Sequence, residues 1–108
     1  MAIVHAITFR WKPDVDRQRV AELTEALRRY AASAGGLSLF ACGEDLRLVE
    51  GNADYGIVAV FDSEDAFISY RNAEVHKALV ESHLLPLLES RSGAQFAYNL
   101  SSGGFDER

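Results

Sequence analysis

The stretch FDSEDAFISYRNAEVHKALVESHLLP, residues 61–86, decides how this chain folds. Phe61 closes a run of aromatic and β-branched residues, Asp62 and Ser63 break that run, and the Ser63 hydroxyl can accept from the free N–H groups of a following helical turn. A helix through Ala66, Phe67 and Tyr70 is expected next. Asn72 and Ala73 predict a break or kink, and the helical pattern resumes from about Glu74 to Leu84. Pro86 has no N–H to donate and restricts the residue before it, so the helix should end or bend near Leu85. This strand-then-helix unit carries Tyr70 and, six residues on, His76.

Working outward, Tyr55 to Phe61 reads as the third strand of the chain. The first is Ile3 to Trp11, where period two puts Ile3, His5, Ile7, Phe9 and Trp11 on one face and Val4, Ala6, Thr8 and Arg10 on the other. Pro13 and Asp14 end it. From Asp14 to about Ser33 the apolar residues fall at helical spacing, and Ala34-Gly35-Gly36 stops the helix. Leu37 to Gly43 is the second strand, Glu44 to Asp54 an irregular connection rich in turn residues, and Gln95 to Leu100 the fourth strand.

That order, βαββαβ, is the split unit of a ferredoxin-like α+β domain: a four-stranded antiparallel sheet with two helices on one face. The reading assigns residues 1–100 to one domain and 101–108 to a polar C-terminal tail. Two helices can cover only one face of the sheet, yet both faces are apolar. The alternate sets Val4/Ala6/Thr8 and Gly56/Val58/Val60 would lie on the uncovered face, where a second copy packing the same face gives the simplest two-fold solution.

Composition excludes several classes. With 48% hydrophobic and 25% charged residues over 108 positions, the chain is an ordinary globular domain rather than a disordered one. No run approaches the roughly 20 apolar residues of a membrane helix. A net charge of -5 argues against a grip on nucleic-acid phosphates. The N-terminal residues alternate like a strand and lack a basic segment ahead of an apolar one, so the protein is expected in the cytoplasm. Cys42 is alone, which precludes an intrachain disulfide or an all-cysteine metal site, and it is expected to be a small half-buried side chain.

The histidine in strand one, the Phe61-Asp62-Ser63 strand end, Tyr70, His76 and the apolar helix to Pro86 together resemble the stress-responsive A/B-barrel family of dimeric α+β barrels, over residues 1 to about 100. The resemblance implies a homodimer whose helix-free sheet faces meet, with a cavity in each subunit between sheet and helices. The residues themselves show no metal-binding or phosphate-cradling motif, so no cofactor or metal is expected. One branch, the olivetolic acid cyclase-type polyketide cyclases, closes a linear polyketide by aldol chemistry with a tyrosine and a histidine. Tyr70 and His76 match that pair in identity and spacing, His5 matches a pocket histidine, and Asp45 falls on an aspartate. Tyr55 departs, standing where those cyclases carry another pocket histidine.

His76 is the candidate acid or base, since imidazole titrates near neutrality and can remove a proton alpha to a carbonyl without a cofactor. Tyr70 could hold or polarise that carbonyl. Six residues apart on one unbroken helix they would stand about 120° from each other, so convergence needs the kink at Asn72 and Ala73. His5 and Tyr55 are expected to line the cavity, with Ile7, Phe9, Leu27, Phe40, Ile57 and Leu79 as its apolar walls. His76 could equally be a helix-start histidine bonded to the backbone, and His5 a satisfied core histidine. His83, about 10 Å along the helix from His76, cannot share a metal ion with it. Three readings stay open: a small-molecule-binding barrel with cofactor-free lyase or cyclase chemistry, a non-catalytic binding barrel, and a cofactor-free monooxygenase for which Trp11 and the His/Tyr set speak.

Overall fold

The computed structural model describes residues 1–99. Four strands, β1 (Ala2–Trp11), β2 (Leu37–Glu44), β3 (Tyr55–Phe61) and β4 (Leu88–Tyr98), form one antiparallel sheet in the order β2-β3-β1-β4. Helix α1 (Arg17–Ser33) connects β1 to β2. After β3 the chain runs through α2 (Glu64–Asn72), α3 (Glu74–Leu79) and a π-helical turn at Val80–Leu84 before β4. The expected ferredoxin-like α+β fold is present, with its second helical arm in pieces. Strand β4 ends at Tyr98, short of the expected Leu100, and Leu100 and the expected 101–108 tail lie outside the described residues.

Two further boundaries differ from expectation. Asp14 has φ 58, a left-handed conformation no helix can include, so α1 starts at Arg17. Its N-cap is Asp16, whose carboxylate accepts the Gln18 N–H at 2.9 Å. Strand β4 begins at Leu88 rather than Gln95. Residues 88–94 are mostly exposed, so no hydrophobic alternation marks them, and their extended form comes from backbone pairing with β1, as in Thr8↔Ser92 and Phe9↔Arg91.

The covered face holds the core. Ile7, Phe9 and Trp11 of β1 and Tyr55 and Ile57 of β3 pack against Val20, Leu23 and Leu27, the i, i+3, i+7 stripe of α1. A second cluster of Ala59, Phe61 and Tyr70 joins β3 to α2. On the other face, Val58 and Phe96 are 43% and 45% exposed beside the small side chains of Ala6, Gly56 and Ala94, which leaves a shallow apolar depression.

Gly36 links the two halves of the fold. Its φ of +73 opens β2, its carbonyl accepts the Asp62 N–H at 2.8 Å, and a Cβ there would stand 2.6 Å from the Ala66 Cβ of α2. Gly36→Ala therefore meets both backbone strain and a clash, and should lower unfolding free energy by about 2–3 kcal/mol in urea titration. Gly35→Ala, where a Cβ meets nothing within 4 Å, should change it little. Equal midpoints for the two variants would refute this account of the β2–α2 contact.

Candidate functional site

The site is made by one residue of extended backbone. Ser63 caps α2, its hydroxyl accepting the Ala66 N–H at 3.1 Å. The helix stops at Asn72, and Ala73, with φ -62 and ψ 139, is at once the C-cap of α2 and the N-cap of α3. That break turns α3 so that the ring centroids of Tyr70 and His76 lie 5.1 Å apart. Tyr30 of α1 completes a cluster of three rings, 4.8 Å from Tyr70 and 5.7 Å from His76. Its hydroxyl donates to the Tyr70 carbonyl at 2.8 Å and ties α1 to the end of α2.

Between sheet and helices lies a cavity of about 70 Å³. His5, Tyr70 and His76 share its wall with Ile7, Phe9, Leu27, Ile57 and Leu79. The π turn, closed by the Leu85 N–H to the Val80 carbonyl at 2.9 Å, adds Val80 and Leu84.

Tyr55 and Phe40 do not line the cavity. Tyr55 is 1% exposed, stacked on Phe9, and shares a 2.6 Å hydrogen bond with the Thr24 hydroxyl, which consumes the polar tip expected in the pocket. Burial raises its pKa, reinforced by a hydrogen bond with the half-buried Cys42 and opposed by Thr24. Phe40 packs between the two core clusters. Asp45 is a loop residue whose carboxylate accepts the Arg47 N–H at 2.9 Å and the Asn52 amide at 3.0 Å. Trp11 is buried against Phe9 and Tyr55, also off the cavity wall.

Sequence reasoning missed Arg71, Arg91 and Phe67, all on the cavity wall, and Gln95 behind it. The β1–β4 register carries the signal for two of them: Arg91 and Gln95 pair with Phe9 and His5, so both lie on the covered face. With β4 expected only from Gln95, Arg91 had no register to be placed in.

Burial sets the protonation states. Gln95 Nε2 donates to His5 Nδ1 at 2.8 Å, so Nε2 of His5 carries the proton. Desolvation lowers the His5 pKa below 6.5, aided by the charges of Arg91, His76 and Arg71. His76 is lowered too, first by desolvation and also by the Arg71 charge, against a backbone hydrogen bond with Arg71. A neutral imidazole carries one ring N–H and one lone pair, so His76 keeps a nitrogen able to accept a proton. The Tyr70 hydroxyl is pushed up to about 12, chiefly by desolvation. It makes no hydrogen bond among the described residues. At neutral pH the site thus holds two neutral imidazoles and a protonated phenol.

Among the described residues no group of three or more His, Cys, Asp or Glu is placed to hold a metal ion, and no helix is long and apolar enough to cross a membrane. A family model for the stress-responsive A/B-barrel domain matches residues 3–96. No curated protein matches the chain. A dimeric ferredoxin-like protein of unknown function from Thermobifida fusca is 36% identical, with 91% of this chain and 92% of that one covered at a TM-score of 0.83. A Dabb-family protein from Mesorhizobium loti is 15% identical (91% and 97% covered, TM-score 0.76). A hydroxynitrile lyase from Passiflora edulis is 13% identical (91% and 94% covered, TM-score 0.78). The last two show likeness of fold alone.

The imidazole shifts have a consequence for stability. Both histidines titrate below 6.5 in the folded chain and return to about that value on unfolding, so the unfolded chain binds protons first as pH falls. Their contribution is complete above about pH 6.5 and is lost as pH drops through the folded-state values. The urea midpoint should therefore fall between about pH 7 and 5, and less steeply in a His5→Asn/His76→Asn double variant. An unchanged slope in that variant would assign the acid limb to other groups.

Proposed function

The chain belongs to the stress-responsive A/B-barrel family, and we propose that its cavity binds a small, mostly apolar, carbonyl-bearing molecule and removes a proton from the carbon next to that carbonyl. The observation that carries this reading is the pairing, in one cavity, of a histidine lowered by burial with a tyrosine pushed up to about 12. Environments that push two titratable groups apart assign base and acid. His76 takes the α-proton on its free nitrogen, while Tyr70 O–H donates to the oxygen that becomes the enolate, with His5 Nε2–H as a second donor. In aldol form, the enolate carbon then bonds to a second carbonyl carbon and protonated His76 returns its proton to the new alkoxide.

Size limits the substrate. A cavity of about 70 Å³ is roughly half of one that accepts benzene, so only a few carbon atoms fit inside. A linear polyketide could react only with most of its length outside the mouth. This favours short substrates over the polyketide-cyclase form. The monooxygenase reading loses Trp11, which the core holds away from the cavity.

A non-catalytic binding barrel is the second reading, and the packing of Tyr30 on both Tyr70 and His76 favours it, because that ring cluster also has a purely structural use. Deuterium exchange followed by NMR in D₂O separates the two, with propanone, butan-2-one and 4-oxopentanoate as probes. The wild type should accelerate exchange at the α-carbon, His76→Ala should abolish most of a roughly 10²- to 10⁴-fold effect, and Tyr70→Phe should lose less. Binding without exchange above buffer removes the base assignment and leaves the binding barrel.

The family's dimeric form is proposed here as a pair meeting through the open sheet faces. The Thermobifida fusca relative is described as dimeric, and Val58 and Phe96 leave this face apolar. Sedimentation should give about twice 11.9 kDa. Val58→Lys, which buries an unpaired charge, should weaken association by several kcal/mol, about 3–5. A wild-type monomer at micromolar concentration would exclude this pairing.

A further inference from the structure

The cavity is electropositive in an acidic protein. The chain has 16 acidic and 11 basic residues, yet the cavity wall contains Arg71 and Arg91 and no Asp or Glu. The two arginines come from different elements, one from the last turn of α2 and one from β4. Neither guanidinium makes an ion pair or hydrogen bond among the described residues, whereas those of Arg17, Arg29 and Arg47 each have a carboxylate partner. Both charges reach the same imidazole, that of His5. The other polar groups facing the space are donors too: His5 Nε2–H, its tautomer set by Gln95, and the unbonded Tyr70 hydroxyl. His76 offers the one basic lone pair, the Tyr70 oxygen being a much weaker acceptor.

A wall of donors with two unpaired guanidinium groups selects for negative charge, because a guanidinium binds a carboxylate through short, charge-assisted and often paired hydrogen bonds. Low-dielectric walls focus such a field. We infer that the molecule bound is a small organic monoanion, an oxoacid whose carboxylate lies at the mouth between Arg71 and Arg91 and whose short apolar body enters among Ile7, Leu27 and Leu79. This deepens the reading of the cavity as a ligand site and rests on it. In that orientation the carbon chain brings the keto group toward Tyr70 and His5, and the arginines also oppose the charge that develops on the enolate oxygen.

Calorimetry on the full chain tests this with matched probes: hexanoate against hexanamide, 4-oxopentanoate against its amide, and acetate as charge without a body. The acids should bind wild type at least about tenfold tighter than the amides. Arg71→Gln and Arg91→Gln should each shrink that preference, and the double variant should erase it while amide affinity holds. Acid and amide binding alike would overturn the inference and leave the ligand site standing. Acetate as tight as hexanoate would also overturn it, by showing an anion contact that does not use the cavity. Failure of every probe to bind would overturn the ligand-site reading and this inference together. Thermal melts check that the variants fold, and the wild-type acid-to-amide ratio decides the question by itself if they do not.

Discussion

Every second residue of a strand must face the same side, and β1 sits between β3 and β4, so its alternation governs both faces of the domain. Ile7, Phe9 and Trp11 build the core with α1. His5 is carried onto that same face by the pleat, where half-burial keeps its ring neutral and Gln95 across the β1–β4 ladder supplies its hydrogen bond. The even set, Val4, Ala6 and Thr8, is sent to the face no helix covers. The cavity and the open apolar face are thus two outcomes of one periodicity.

The second constraint is the break at Ala73. Continuous helix would have separated Tyr70 from His76 around the axis; one extended residue restarts the helix in a new direction and brings their rings to 5.1 Å. Tyr30 then clamps the junction, donating to the Tyr70 carbonyl. Burial of the cluster drives the phenol and the imidazole in opposite directions, because desolvation penalises the charged form of each. The same burial that stabilises the packing therefore keeps both groups neutral near neutral pH.

Most of the fold was legible in the sequence. The Ser63 cap, the break at Asn72-Ala73, the stop before Pro86 and the period-two pattern of β1 are local signals, and the structure follows them. The first half of β4 was not legible, since an edge segment such as Glu89 to Ala94 buries no side chain and is held by its neighbour's backbone. Tyr55 and Phe40 were assigned to the right face but not to the right neighbours. Alternation gives the side of a sheet, and only packing decides whether a side chain there meets a void, a Thr24 hydroxyl or another ring.

The sequence by itself determined the element order, the covered and open faces, and the presence of His5, Tyr70 and His76 on elements that could meet, because these depend on contacts between residues close along the chain. Only the tertiary structure decided that Arg71 and Arg91 enter the same cavity without carboxylates, that Gln95 sets the His5 tautomer, and that the space is about 70 Å³. Those properties arise where β1, β4, α1 and the broken second helix come together. Register and packing density across that junction follow from the whole set of long-range contacts, and no local pattern encodes them.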